Sequence, residues 1–100
     1  MERMYIVHWG SAGQDDDGNS KAFAGVHGVY ATKSAALKGL EECKAQTFDE
    51  IVNNPDYDEE DRALAAVNAS IYGSVEEEYF EIDYFIGDIP CEIYIAISEQ

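Results

Sequence analysis

Positive charge is the scarcest property of this chain: six lysines and arginines stand against 21 aspartates and glutamates, a net charge of −15 over 100 residues. A surface so poor in cations has little with which to hold phosphates. Direct binding of nucleic acid or of a phosphorylated substrate is therefore not expected. Long apolar runs are also missing. No stretch of roughly 18 apolar residues exists to form a membrane-spanning helix, so no membrane role is expected. The start, Met1-Glu2-Arg3-Met4-Tyr5, lacks the basic opening and long apolar region of a signal peptide, which makes the cytoplasm the expected location. Cysteine is sparse as well. Cys43 and Cys91 lie 48 residues apart with no ligand spacing around them, and two free thiols in a reducing compartment are expected rather than a disulfide.

Catalytic constellations are equally lacking. The serines at 11, 20, 34, 70, 74 and 98 sit in no nucleophile-elbow pattern. Neither cysteine has a basic neighbour to lower its pKa, and Glu92 beside Cys91 would raise it. Gly10-Ser11-Ala12-Gly13 is too short for a phosphate-binding fingerprint. Asp15-Asp16-Asp17-Gly18-Asn19 invites a calcium reading, but Gly13 and Ala24 occupy positions where an EF-hand needs acids, so a solvated turn is expected. His8 and His27 fall on neighbouring expected strands, yet no H-x-x-x-H or C-x-x-C spacing completes a ligand set. No enzyme activity, cofactor or metal is expected. An enzyme or metal centre using His8, His27 and Asp15–Asp17 is the least favoured reading.

What is present is a globular composition, 46% hydrophobic and 12% aromatic, sized for one domain spanning residues 1–100. Met4–Trp9 is β-branched and aromatic and reads as a strand, followed by a polar loop over 10–21. Phe23–Ala31 reads as a second strand whose Gly25 and Gly28 suggest a bulge or a close backbone approach. Thr32 has the hydroxyl of a helix N-cap, and the helix it opens should run to about Asn53 with Leu37, Leu40, the Lys44 stem, Phe48, Ile51 and Val52 on its apolar side. Pro55 stops it. A second helix should start near Asp58, carry Ala63, Leu64, Val67 and Ile71 on its apolar side, and end at Gly73. Phe80, Ile82, Tyr84 and Ile86 alternate with Glu81, Asp83 and Phe85, and Cys91, Ile93, Ile95 and Ile97 with Glu92, Tyr94, Ala96 and Ser98, so a hairpin with a four-residue loop over 87–90 closes the chain. The expected fold is α+β: a four-stranded antiparallel sheet with two helices on one face, in the order β-β-α-α-β-β.

Charge is unevenly distributed along this framework. Residues 1–44 hold six acids and five bases, whereas residues 45–100 hold fifteen acids and only Arg62. These acids are interleaved with core positions, so folding fixes them in place. Asp56, Asp58, Glu59, Glu60 and Asp61 crowd a helix entry, and Glu76, Glu77 and Glu78 crowd a strand entry. Glu81 and Asp83 share one strand face with Tyr79 and Phe85, about 6.6 Å apart at ~3.3 Å per residue. Carboxylates at such spacing among exposed aromatics can stand in for phosphates and bases. These twelve residues form the candidate partner-binding set, and the expected partner is a basic nucleic-acid-binding protein such as a nuclease or effector complex. By size and composition the chain is similar to the small acidic inhibitors of phages and mobile elements, such as DNA-mimic anti-restriction and anti-CRISPR proteins. That resemblance is one of class and carries over no residue. The alternative is a small non-catalytic accessory or regulatory domain whose acidity serves solubility, with a homodimer formed through edge strands or the aromatic face of the last hairpin.

Overall fold

A strand must pair both its edges or leave them to solvent, and this chain meets that requirement with one sheet. The computed structural model describes residues 3–14 and 17–100. They form β1 (Tyr5–Gln14), β2 (Ser20–Tyr30), α1 (Lys33–Val52), α2 (Glu59–Asn68), β3 (Ser70–Ser74), β4 (Tyr79–Ile86) and β5 (Ile89–Glu99). All the pairings are antiparallel, in the order β2-β1-β5-β4-β3. The architecture is α+β as expected, but the sheet has five strands rather than four.

The additional strand is β3. Its spacing predicts a continuation of the second helix, with Ile71 on the apolar side and Gly73 as the cap. Instead α2 ends at Asn68, and Ala69 turns extended at φ −63°, ψ 132°. Gly73 lies inside β3 at φ +93°, where an added Cβ would run into the Tyr79 carbonyl. The chain reverses over 75–78 and Glu78 takes a left-handed φ of 64°. Strands β1 and β2 also extend well into the region expected to be a loop, pairing from Tyr5↔Tyr30 to Gln14↔Ser20. The final turn holds two residues, Gly87 and Asp88, rather than four, since Ile86 pairs with Ile89 and Gly87 takes φ +61°. Asp15 and Asp16 of the acidic loop lie outside the described residues.

Other local expectations match. Thr32 caps α1 by accepting from the Ala35 N–H at 3.1 Å, and Asp58 caps α2 by accepting from the Asp61 N–H at 2.8 Å. Glu59, Glu60 and Asp61 fill the first turn of α2, where the helix dipole favours them. The bulge lies in β2, where His27 is the residue left over between Val7↔Gly28 and His8↔Val26. Gly25 is needed for space, because a Cβ there would come within 2.8 Å of the Trp9 ring.

Both helices cover the same side of the sheet. Val7, Ile95 and Phe80 meet Ala36, Leu40 and Cys43 of α1, while Ile82 meets Ile51 of α1 and Ala65 of α2. The ammonium of Lys44 sits 4.4 Å from the centre of the Phe80 ring, so its stem does line the core side. Leu64 and Val67 point outward, Val67 at 81% exposure, and Ala65 is the residue α2 buries. A small side chain at that position lets the short helix sit close to β4. Helices on one side leave the other side of the sheet bare.

Candidate functional site

Strand periodicity decides which residues the bare side carries. On β4 the even positions Phe80, Ile82, Tyr84 and Ile86 turn to the helices, so Tyr79, Glu81, Asp83 and Phe85 turn away. Register then extends the pattern sideways. Glu81 stands between Tyr72 of β3 and Tyr94 of β5, and Asp83 stands between Ser70 and Glu92. The result is a lattice of alternating rings and carboxylates over three strands. Tyr72, Tyr94 and Phe85 are each about half exposed. The rings of Tyr79 and Tyr94 stack with centroids 5.6 Å apart and planes 21° from parallel.

The acids of this lattice converge. One carboxylate oxygen from each of Glu81, Asp83 and Glu92 lies within 4.8 Å of the others. Repulsion from Asp83, reinforced by partial burial and a hydrogen bond to Asp83, holds the Glu81 carboxyl above the usual glutamate range. Glu77 raises the Tyr79 hydroxyl above its ordinary value in the same way. Asp83 Oδ1 is fully buried and has no hydrogen-bond partner, alone in this among the side-chain atoms of the described residues. A hollow of about 500 Å³ is lined by Tyr72, Asp83, Phe85, Pro90 and Glu92, among others. None of the three carboxylates joins an ion pair among the described residues.

Three of the six bases are engaged elsewhere. Arg62 donates to the carbonyls of Asn54 and Tyr57 at 3.1 and 2.9 Å, which clasps the loop ahead of α2. Lys33 pairs with Glu78, and Arg3 with Glu99 at 2.7 Å.

Of the residues expected from sequence to meet a partner, the fold gathers Tyr79, Glu81, Asp83 and Phe85 on the bare side. Glu76, Glu77 and Glu78 occupy the β3–β4 turn at the end of the same strand, where the Ser74 hydroxyl bonds both the amide and the carboxylate of Glu77 at 3.2 Å. Asp56, Asp58, Glu59, Glu60 and Asp61 belong to the helical layer, at the entry to α2, and do not join the lattice. Tyr72, Glu92 and Tyr94 complete the surface and were missed. Tyr94 and Glu92 were legible as outward positions of β5, but only strand register brings them beside Glu81 and Asp83.

The histidines and cysteines stay dispersed. His8 bonds the Ser98 hydroxyl at 2.7 Å on the bare side, while His27 lies 3.7 Å from Glu42 of α1 on the helical side. Cys43 and Cys91 are free, and burial pushes both thiols up. No helix among the described residues is long and apolar enough to cross a membrane. No protein-family model, curated protein or solved structure matches the chain.

Proposed function

We propose that this protein is a non-catalytic inhibitor that binds a basic, nucleic-acid-handling protein through the bare side of its sheet, occupying the groove in which a polynucleotide would lie. The observation that carries this reading is the ring-and-carboxylate lattice of β3–β5, open to solvent and free of lysine and arginine. Regular strand spacing sets its carboxylates at fixed intervals, and tyrosines between them supply flat apolar surface as bases do between phosphates. Diffusional encounter would be steered by charge, and the half-exposed aromatics would supply the desolvated anchors of the contact. The acids of the β3–β4 turn extend the same negative surface, and those at the α2 entry add to the long-range field. The test is competition: the protein should displace DNA or RNA from the groove of its partner, and its affinity should fall steeply between low and moderate salt. Binding indifferent to salt would defeat the reading.

A second reading, an accessory domain that self-associates, has one specific observation in its favour. Strand β2 is an open edge of eleven residues that bears no carboxylate, and Phe23, Val26 and Val29 along it are 63, 62 and 52% exposed. Such an edge is a template for pairing with a second copy. Self-association by this route should strengthen with salt, since each copy carries −15. Sedimentation across a salt series separates the two readings, and Val26→Lys should abolish the second.

A further inference from the structure

The function proposed above, on which the following rests, calls for a cationic group on the partner, and the chemistry of the lattice bears on which one. We infer that the bare face of β3–β5 is built to seat arginine side chains of the partner, each planar guanidinium lying against a tyrosine ring with its N–H groups directed to Glu81, Asp83 and Glu92.

Three independent features lead there. The carboxylates supply charge that no ion pair among the described residues neutralises, and Arg3, Lys33 and Arg62 are held at other sites. Asp83 Oδ1 is a buried acceptor without a donor, an arrangement that costs free energy until a donor arrives. The Asp83 residue also lines the hollow shared with Tyr72, Phe85 and Pro90, which gives an incoming side chain room. Finally, Tyr72 and Tyr94 flank Glu81 on both sides and are 51 and 46% exposed, while stacking against Tyr79 orients the Tyr94 ring.

Each alternative occupant leaves one of these features without a purpose. A lysine ammonium is a compact, strongly hydrated point charge with three donors and no plane to lay on a ring. A divalent cation would take the carboxylates and make no use of the tyrosines. A nucleobase would find the rings but meet three carboxylates. A guanidinium has five N–H donors in a rigid plane, pairs two at a time with a carboxylate, and stacks on aromatic faces.

The experiment is a calorimetric titration of the full chain with hexa-arginine and with hexa-lysine at low salt. Arginine peptide should bind about tenfold more tightly, the size of difference that a desolvated cation–π contact supplies. Tyr94→Leu should bring the two affinities together while leaving binding of the lysine peptide. Asp83→Asn should weaken arginine binding most. Glu59→Gln with Glu60→Gln, which removes two charges from α2, should weaken both peptides equally and keep their ratio. Equal affinity of the two peptides for the unaltered protein would overturn the arginine seat and leave the acidic-face reading standing. Binding of neither peptide would overturn both. Saturable calcium binding that Asp83→Asn abolishes, with no arginine preference, would make the cluster a metal site instead.

Discussion

Glu81 and Asp83 project from the same side of β4, and the Asp83 carboxylate holds the Glu81 carboxyl above the usual value near 4.5. The folded chain binds that proton more tightly than the unfolded chain. The contribution of Glu81 to stability is therefore complete below the ordinary glutamate pKa and is lost as pH rises through the elevated folded value. Glu81→Gln, which keeps the shape and removes the charge, should raise the melting temperature near neutral pH and flatten its dependence on pH from about 4.5 upward. Calorimetric melting across that range checks this. An unchanged slope would mean that the repulsion from Asp83 and Glu92 is relaxed by side-chain motion.

Gly73 and Gly87 both have positive φ, but their surroundings differ. At Gly73 a Cβ would strike the Tyr79 backbone, whereas at Gly87 nothing lies within 4 Å. Gly87→Ala should cost about 1–2 kcal/mol, the ordinary penalty of a left-handed conformation. Gly73→Ala should cost more, since β3 must move away from β4 as well. Urea denaturation of the two variants gives the comparison, and an equal loss would contradict the close approach.

Leu40 is fully buried where α1 crosses the sheet, while Val67 on α2 is 81% exposed. Leu40→Ala should destabilise the domain by roughly 2–5 kcal/mol through lost burial and the cavity left behind. Val67→Ala should fall within about 0.5 kcal/mol of no effect. Chemical denaturation of both variants checks the contrast. A greater sensitivity at Val67 would require α2 to turn that side, rather than the side of Ala65, toward β4.

Asp58 is a cap whose carboxylate accepts from the Asp61 amide. Asp58→Asn keeps an acceptor and removes one charge, whereas Asp58→Ala removes both. The alanine variant should lose about 1 kcal/mol and the asparagine variant much less. Thermal melts of the pair distinguish capping from charge crowding, because crowding alone would make both variants more stable.

Much of this was legible in the chain. Period-two alternation from Phe80 to Ile86 and from Cys91 to Ile97 assigned the sides of β4 and β5 correctly, and Thr32 and Asp58 marked both helix starts. Strand β3 was hidden because Ala63, Leu64, Val67 and Ile71 continue a helical spacing, and five residues are too few to set up a contrary rhythm. Packing settled the matter instead: Ile71 lies opposite Ile82, and β3 pairs with the edge of β4, whose backbone groups another turn of helix would have left without strand partners. The polar stretch over 10–14 read as a loop for a related reason. Its strand identity comes from pairing with β2 along its whole length and with the start of β5 as far as Ala12, rather than from its own side chains. The site was half legible. Which side Glu81 faces follows from alternation, but that Tyr72 and Tyr94 flank it depends on the register of two successive hairpins, one of them formed by the strand that helical spacing concealed.

Strand order has an electrical consequence. The acid-free edge strand β2 and the acid-bearing strand β4 stand three strand spacings apart, ~14 Å at about 4.8 Å each. Charge and geometry together give the molecule a permanent dipole moment directed across the strands. In the field of a positively charged body it would rotate during approach and arrive with the β3–β4 margin leading. A larger share of collisions would then begin aligned.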